Sequence, residues 1–130
     1  MAGLAAPLLA LAPLAHADSY SSFAGRWSGM RNEVVIDSSG NGHFTYFGFG
    51  RCPSCSMATV PRETADFTLT NLSGNTANGT VTSDTGGGAP GWPMSVTLAN
   101  QFGGQTINLT AGKASGLYCS PPIAGMCGGA

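Results

Sequence analysis

Residues 25–49, GRWSGMRNEVVIDSSGNGHFTYFGF, decide the fold, because dense aromatics, strict alternation and a hairpin turn coincide nowhere else in the 130 residues. Val34 and Ile36 alternate before the turn, Phe44 and Tyr46 after it. A three-residue loop at Ser39, Gly40 and Asn41 sets Ile36 opposite Phe44 and Val34 opposite Tyr46, with all four apolar side chains on one face. Gly42 then supplies the left-handed conformation needed by a type I turn with a G1 bulge. The same register puts Asp37 opposite His43 on the other face.

Outward from the hairpin the pattern stays β. Residues 23–30 read as a first strand, with Trp27 between Gly25 and Gly29 as a large ring beside a close backbone approach. Trp27 is the expected centre of the core, joined by Val34, Ile36, Phe44 and Tyr46. Gly48 and Gly50 loosen the alternation, so Phe47 and Phe49 either face outward or are turned in by a bulge. A loop over 51–61 follows. Residues 64–72 set Phe67 and Leu69 against Thr68 and Thr70, and 77–83 answer across Gly74, Asn75 and Thr76. The glycine-rich run 86–91 is a loop. Val96 and Leu98, then Ile107 and Leu109, mark two strands joined at Gly103 and Gly104, and 114–119 is the last. Apolar residues nowhere recur at three-and-four spacing, so no helix is expected in the mature chain. Seven or eight short hairpin-linked strands each bury one face, and closure removes exposed edges. The expectation is all-β, a small antiparallel up-and-down barrel. A β-sandwich shares the same local signals and is the alternative.

The first residues read as an export signal. Residues 2–15 are apolar, but the run is too short, and too interrupted by Pro7 and Pro13, for a bilayer that needs about 20 residues. It ends in Ala15-His16-Ala17, which predicts a signal peptide over 1–17 and a secreted β-domain over 18–130, with no transmembrane span after cleavage. A translation start upstream of Met1 explains the missing basic residues. The remainder is one domain's worth of chain, able to bury roughly two-thirds of its unfolded surface. Charged residues make up 8% and the net charge is −1. Against a usual share of about 25%, this excludes electrostatic capture of nucleic acid.

Gly25-Arg26-Trp27, followed by Val34, Val35, Ile36 and the turn at Gly40 to Gly42, resembles small secreted, mostly uncharacterised β-proteins of mycobacteria and related actinobacteria. The resemblance implies export and a β-fold, and hands over no activity. Gly25-x-Trp27 with its hairpin is also similar to the avidin and lipocalin barrels, in which the tryptophan closes one end.

Four cysteines allow three pairings. Cys52 with Cys55 and Cys119 with Cys127 needs no particular strand order, and two prolines and a glycine pre-bend the tail between the latter pair. Pairing Cys52 with Cys119 would stabilise more, about 4.5 against about 2.5 kcal/mol. It requires two distant segments to lie within about 6 Å, which nothing in the sequence supports. The local pairing is therefore expected, in a secreted protein.

Few residues suggest chemistry. His43 is the one histidine after cleavage, with Asp37 expected across the hairpin, but no Gly-x-Ser-x-Gly elbow accompanies them. Asp37, Glu63 and Asp66 are scattered singly, and the last two read as loop solubilisers at a strand start. Cys52-Pro-Ser-Cys55 has redox spacing, yet Pro61 interrupts the helix that would lower a thiol pKa. No metal site, cofactor or enzymatic activity is expected. Two functions remain. One is a secreted or cell-envelope binding module for an envelope or extracellular ligand or protein, acting through the barrel mouth or an apolar patch of Trp92, Phe47 and Phe49. The other is a structural or effector-like protein without a small ligand, and a thiol-redox role for Cys52 and Cys55 is a distant third. An apolar cavity of about 300 Å³ or more favours the first, and a filled barrel the second.

Overall fold

Alternation like that of Val34 to Tyr46 runs through eight strands in a computed structural model that describes residues 20–87, 90–112 and 114–128. The expected signal peptide lies outside the described residues. The strands are β1 Gly25–Ser28, β2 Glu33–Ile36, β3 Asn41–Phe47, β4 Arg62–Ser73, β5 Thr76–Asp84, β6 Pro93–Gln101, β7 Gly104–Ala111 and β8 Ala114–Cys119. Each pairs antiparallel with the next and β8 returns to β1, so the fold is a closed up-and-down barrel rather than a sandwich. Inward positions such as Val34, Phe44, Phe67, Val96 and Leu109 are buried. The outward faces of β4 to β7 carry mainly Thr, Ser and Asn, polar groups that suit water.

The β2–β3 hairpin keeps the expected kind of turn but shifts it. Val34 faces Phe44 rather than Tyr46, and Ile36 faces Gly42 rather than Phe44. The loop is Ser38, Ser39 and Gly40. Gly40 N donates to Asp37 O at 3.1 Å and Asp37 N to Asn41 O at 2.9 Å. Gly40, at φ 94°, takes the left-handed place expected of Gly42. Asp37 sets this position. Its Oδ1 accepts from Ser39 N, Ser39 Oγ and Asn41 N at 3.0, 2.8 and 3.0 Å, which makes it the first residue of the turn. The Ser39 hydroxyl bond, assisted by the backbone donors, holds the Asp37 carboxyl below its ordinary range. Because the offset is two residues, every side chain keeps its face. Gly42 serves another purpose: a Cβ there would overlap the Phe67 ring of β4, with even Cε2 only 2.7 Å away. Asp37 consequently does not face His43, which lies opposite Val35 on β2 and Asp66 on β4.

Trp27 is only 3% exposed, and its Nε1 donates to Phe23 O at 2.9 Å, so the buried indole N–H is satisfied. The first strand is shorter than 23–30. Phe23 belongs to a preceding turn in which its N donates to Tyr20 O at 2.9 Å. Tyr20 and Phe23 are buried, and the Tyr20 ring lies against Gly40, so this turn plugs the barrel end beside the β2–β3 loop. The close approach at Gly29 is to Tyr118 rather than Trp27, since a Cβ there would meet the Tyr118 ring at 2.9 Å.

Two other turns shift by one residue. Ser73 pairs with Thr76, leaving Gly74 and Asn75 as the β4–β5 loop. Gln101 pairs with Gly104, leaving Phe102 and Gly103, at φ 56° and 78°, as the β6–β7 loop. The expectation of no helix fails at the tail, where Pro121–Cys127 forms 3-10 helical turns, kinked at Ile123, with proline in the first positions. A disulfide between Cys119 and Cys127, Cα atoms 5.7 Å apart, folds this segment back. The second disulfide joins Cys52 and Cys55. Both pairs are the local ones expected, and they are consistent with an extracellular or otherwise oxidising location. Closure between β1 and β8 rests on one ladder pair, Ser28 with Cys119. The tail helix packs beside this seam, Ile123 against Gly104 and Gly128 against Met30. Among the described residues, no helix is long and apolar enough to cross a membrane.

Candidate functional site

At the barrel end away from the Tyr20 plug, three aromatic side chains each rest on a glycine. Tyr46, near the end of β3, sets its hydroxyl where a Cβ on Gly86 would stand. Trp92, just before β6, lies over Gly112 of the β7–β8 turn, where a Cβ would meet Cε3 at 2.9 Å. Tyr118 of β8 is held between Gly29 and Gly116, where added Cβ atoms would stand 2.9 and 3.1 Å from its ring. The β5–β6 loop is folded back to carry Trp92, because Val81 N donates to Trp92 O at 2.8 Å and Gly91 N to Val81 O at 2.7 Å. These rings flank a cavity of about 190 Å³, open on the side of the exposed Trp92, whose inner wall includes Phe44, Val81, Leu109 and Ala111. Larger hollows, such as one of about 410 Å³ beside Arg31 and Arg62, are shallow grooves on the outer surface.

The cavity has few polar groups. Tyr46 donates its hydroxyl to Asp84 Oδ1, which also accepts from Gly86 N at 2.8 Å. Burial, then the Asp84 bond and charge, push the Tyr46 phenol far above its ordinary value, so it stays a neutral donor. Tyr118 is 7% exposed and burial raises its phenol as well. Its hydroxyl makes no hydrogen bond with any described residue. Asn32, from the β1–β2 loop, buries its Oδ1 without a hydrogen-bond partner. Among the described residues, no cationic side chain lines the cavity.

No protein-family model, curated protein or solved structure matches this chain. The site is therefore read from its own chemistry. Of the aromatic trio expected as a patch, only Trp92 lines the cavity. Phe47 and Phe49 instead pair with each other, ring centroids 6.0 Å apart, and the Arg62 guanidinium sits 4.4 Å above the Phe47 ring. Phe47 occupies an outward position of β3, while Tyr46 points inward.

Glu63 corrects another expectation. It is no loop solubiliser: its side chain is 5% exposed, and the residue lies opposite Tyr46 across β3 and β4. Oε1 accepts from Thr85 Oγ1 at 2.9 Å. Oε2 lies 3.1 Å from Arg51 Nε, an ion pair that does not meet hydrogen-bond geometry. Asp66 faces water and pairs with His43, Oδ1 to Nδ1 at 2.6 Å, while Ser83 Oγ donates to its Oδ2 at 3.0 Å. The carboxylate stands between serine and histidine. This order withholds the nucleophile-to-base contact that serine catalysis needs. Cys52 and Cys55 lie in consecutive turns with no following helix, so no helix dipole acts on either sulfur. No group of three possible metal ligands occurs among the described residues.

Tyr118, Asp84 and Asn32 escaped the reading of the sequence. Parity within Gly116-x-Tyr118 marks Tyr118 as inward, but its glycine partner Gly29 is distant in the chain. The same parity, shared with Phe67 and Leu69, marks Glu63 as inward.

Proposed function

We propose that this barrel is a secreted or cell-envelope binding module that holds a small, largely apolar molecule among Tyr46, Trp92 and Tyr118, without turnover. The seating of all three rings on glycines carries the reading. Gly116 lies within β8, where glycine costs about 0.5–1 kcal/mol relative to alanine, so its place beside the Tyr118 ring supports a shaped feature rather than a packing defect. Its volume of about 190 Å³ is below the range of about 300 Å³ and upward typical for drug-sized ligands. It exceeds the roughly 150 Å³ that accepts benzene in an engineered core, so the occupant has about six to ten heavy atoms. The disulfides agree with an oxidising compartment.

The second reading, a structural protein without a small ligand, is favoured by the plugged far end and the modest volume. Titrating isotope-labelled protein with benzene, followed by NMR, separates the two. Binding shifts resonances of Tyr118, Leu109 and the Trp92 indole together and saturates. Absence of such shifts up to the solubility limit of benzene refutes the binding module and leaves the structural one.

A further inference from the structure

The preferred ligand follows from a phenol donor that the cavity leaves unused. Tyr118 reaches the cavity from β8 with its ring fixed from two sides by the backbones of Gly29 and Gly116. A phenol so held has little rotamer freedom left to lose on binding. Its hydroxyl has no partner among the described residues, whereas the Tyr46 hydroxyl is committed to Asp84. Tyr118 lines the cavity, so an occupant lies against it. Burial keeps this phenol protonated at neutral pH. A neutral donor inside an apolar wall selects an oxygen acceptor.

Charge selects further. Asp84 lies in the wall and no cation among the described residues lines it, so an anionic ligand would be desolvated beside a carboxylate. The Asp84 carboxylate is engaged by the Tyr46 hydroxyl and Gly86 N, which favours their hydrogen-bonded arrangement over capture of a ligand cation.

Resting on the binding reading above, we propose that the pocket takes an uncharged, ring-sized molecule carrying a carbonyl oxygen, and that the Tyr118 hydroxyl donates to that oxygen and orients it.

Cyclohexanone and methylenecyclohexane test this, because they share size and shape and differ only in whether the ring bears an oxygen or a CH2. Their dissociation constants are measured by NMR titration for the oxidised wild-type chain and for Tyr118→Phe. A hydrogen bond between neutral groups is worth about 0.5–1.5 kcal/mol, so Tyr118→Phe should weaken cyclohexanone about 2- to 13-fold. Methylenecyclohexane should bind unchanged or slightly tighter. Ser115→Ala, which removes a hydroxyl from a more exposed lining residue, should preserve the wild-type ratio of the two constants. Equal effects of Tyr118→Phe on both probes, or a ratio lost in Ser115→Ala instead, would overturn the role of Tyr118 while leaving the binding reading intact. Failure of both probes to bind the wild-type chain would overturn both.

Discussion

Replacing Gly42 with alanine tests the interlock between the organising hairpin and β4. The added Cβ would overlap the Phe67 ring, which is 1% exposed and has Phe44 at a centroid distance of 6.0 Å. Non-bonded carbons rest at about 3.5–4.0 Å, so the ring must retreat by more than 1 Å into packed neighbours. Overpacking of this kind costs about 1–3 kcal/mol, and the lack of space places it in the upper half. Relieving the strand of a glycine returns about 0.5–1 kcal/mol. The clash wins. A net loss of about 1–2.5 kcal/mol is expected, or about 4–10 °C in Tm for a domain of this size. Urea unfolding followed by circular dichroism measures it. In a Phe67→Leu background the shorter side chain clears the space, and Gly42→Ala should cost nearly nothing, a coupling of at least about 1 kcal/mol. A loss below about 0.5 kcal/mol, or the same loss in both backgrounds, would refute the interlock.

Removing the tail disulfide with Cys119→Ser and Cys127→Ser frees a nine-residue loop and should cost about 2.5 kcal/mol in denaturant melts. Phe102→Asn should stabilise by about 1 kcal/mol in the same assay, because Phe102 holds φ 56° in a two-residue turn whose left-handed positions asparagine tolerates. The Asp66 carboxyl is lowered first by its His43 hydrogen bond and then by that of Ser83. A lowered folded-state value makes its contribution present above the ordinary carboxylate range and lost as pH falls through the depressed one. With the side chain 55% exposed, solvent screening keeps that contribution under about 1 kcal/mol. Asp66→Asn should therefore be slightly less stable than wild type at about pH 7 and indistinguishable at about pH 2, as read by urea midpoints.

The strands were legible because alternation is local. Val34, Ile36, Phe44 and Tyr46 identify their own inward face whatever register the hairpin adopts. The register itself was not legible, because two glycines, Gly40 and Gly42, lie within reach of the turn. Only Phe67, some 25 residues on, shows that Gly42 is needed for space and Gly40 for the backbone. Glu63 reads as a surface acid until Arg51 and Thr85 come to it from two loops. The pocket was least visible. Trp92 announces itself as an aromatic beside a glycine run, but Tyr118 gains its meaning from Gly29 at the far end of the chain, and the tail helix from a disulfide rather than from any helical period.

The ring of strands also has an order in time. Its first and last members meet through Ser28 and Cys119, the longest-range strand pairing in the molecule. Such a contact is repaid only after all the intervening chain has been arranged, which makes it a late event in folding. Until then the first strand and the growing end of the meander are open edges, able to pair with another chain as readily as with each other. Cys119 takes part in both the ladder and the disulfide, so oxidation to Cys127 pins the tail helix beside a junction that has just formed. Any chain that stops short of Cys119, whether still being made or clipped by a protease, has no way to become circular. Closure turns a ribbon into a ring, and the segment from Pro121 to Cys127 serves as its clasp.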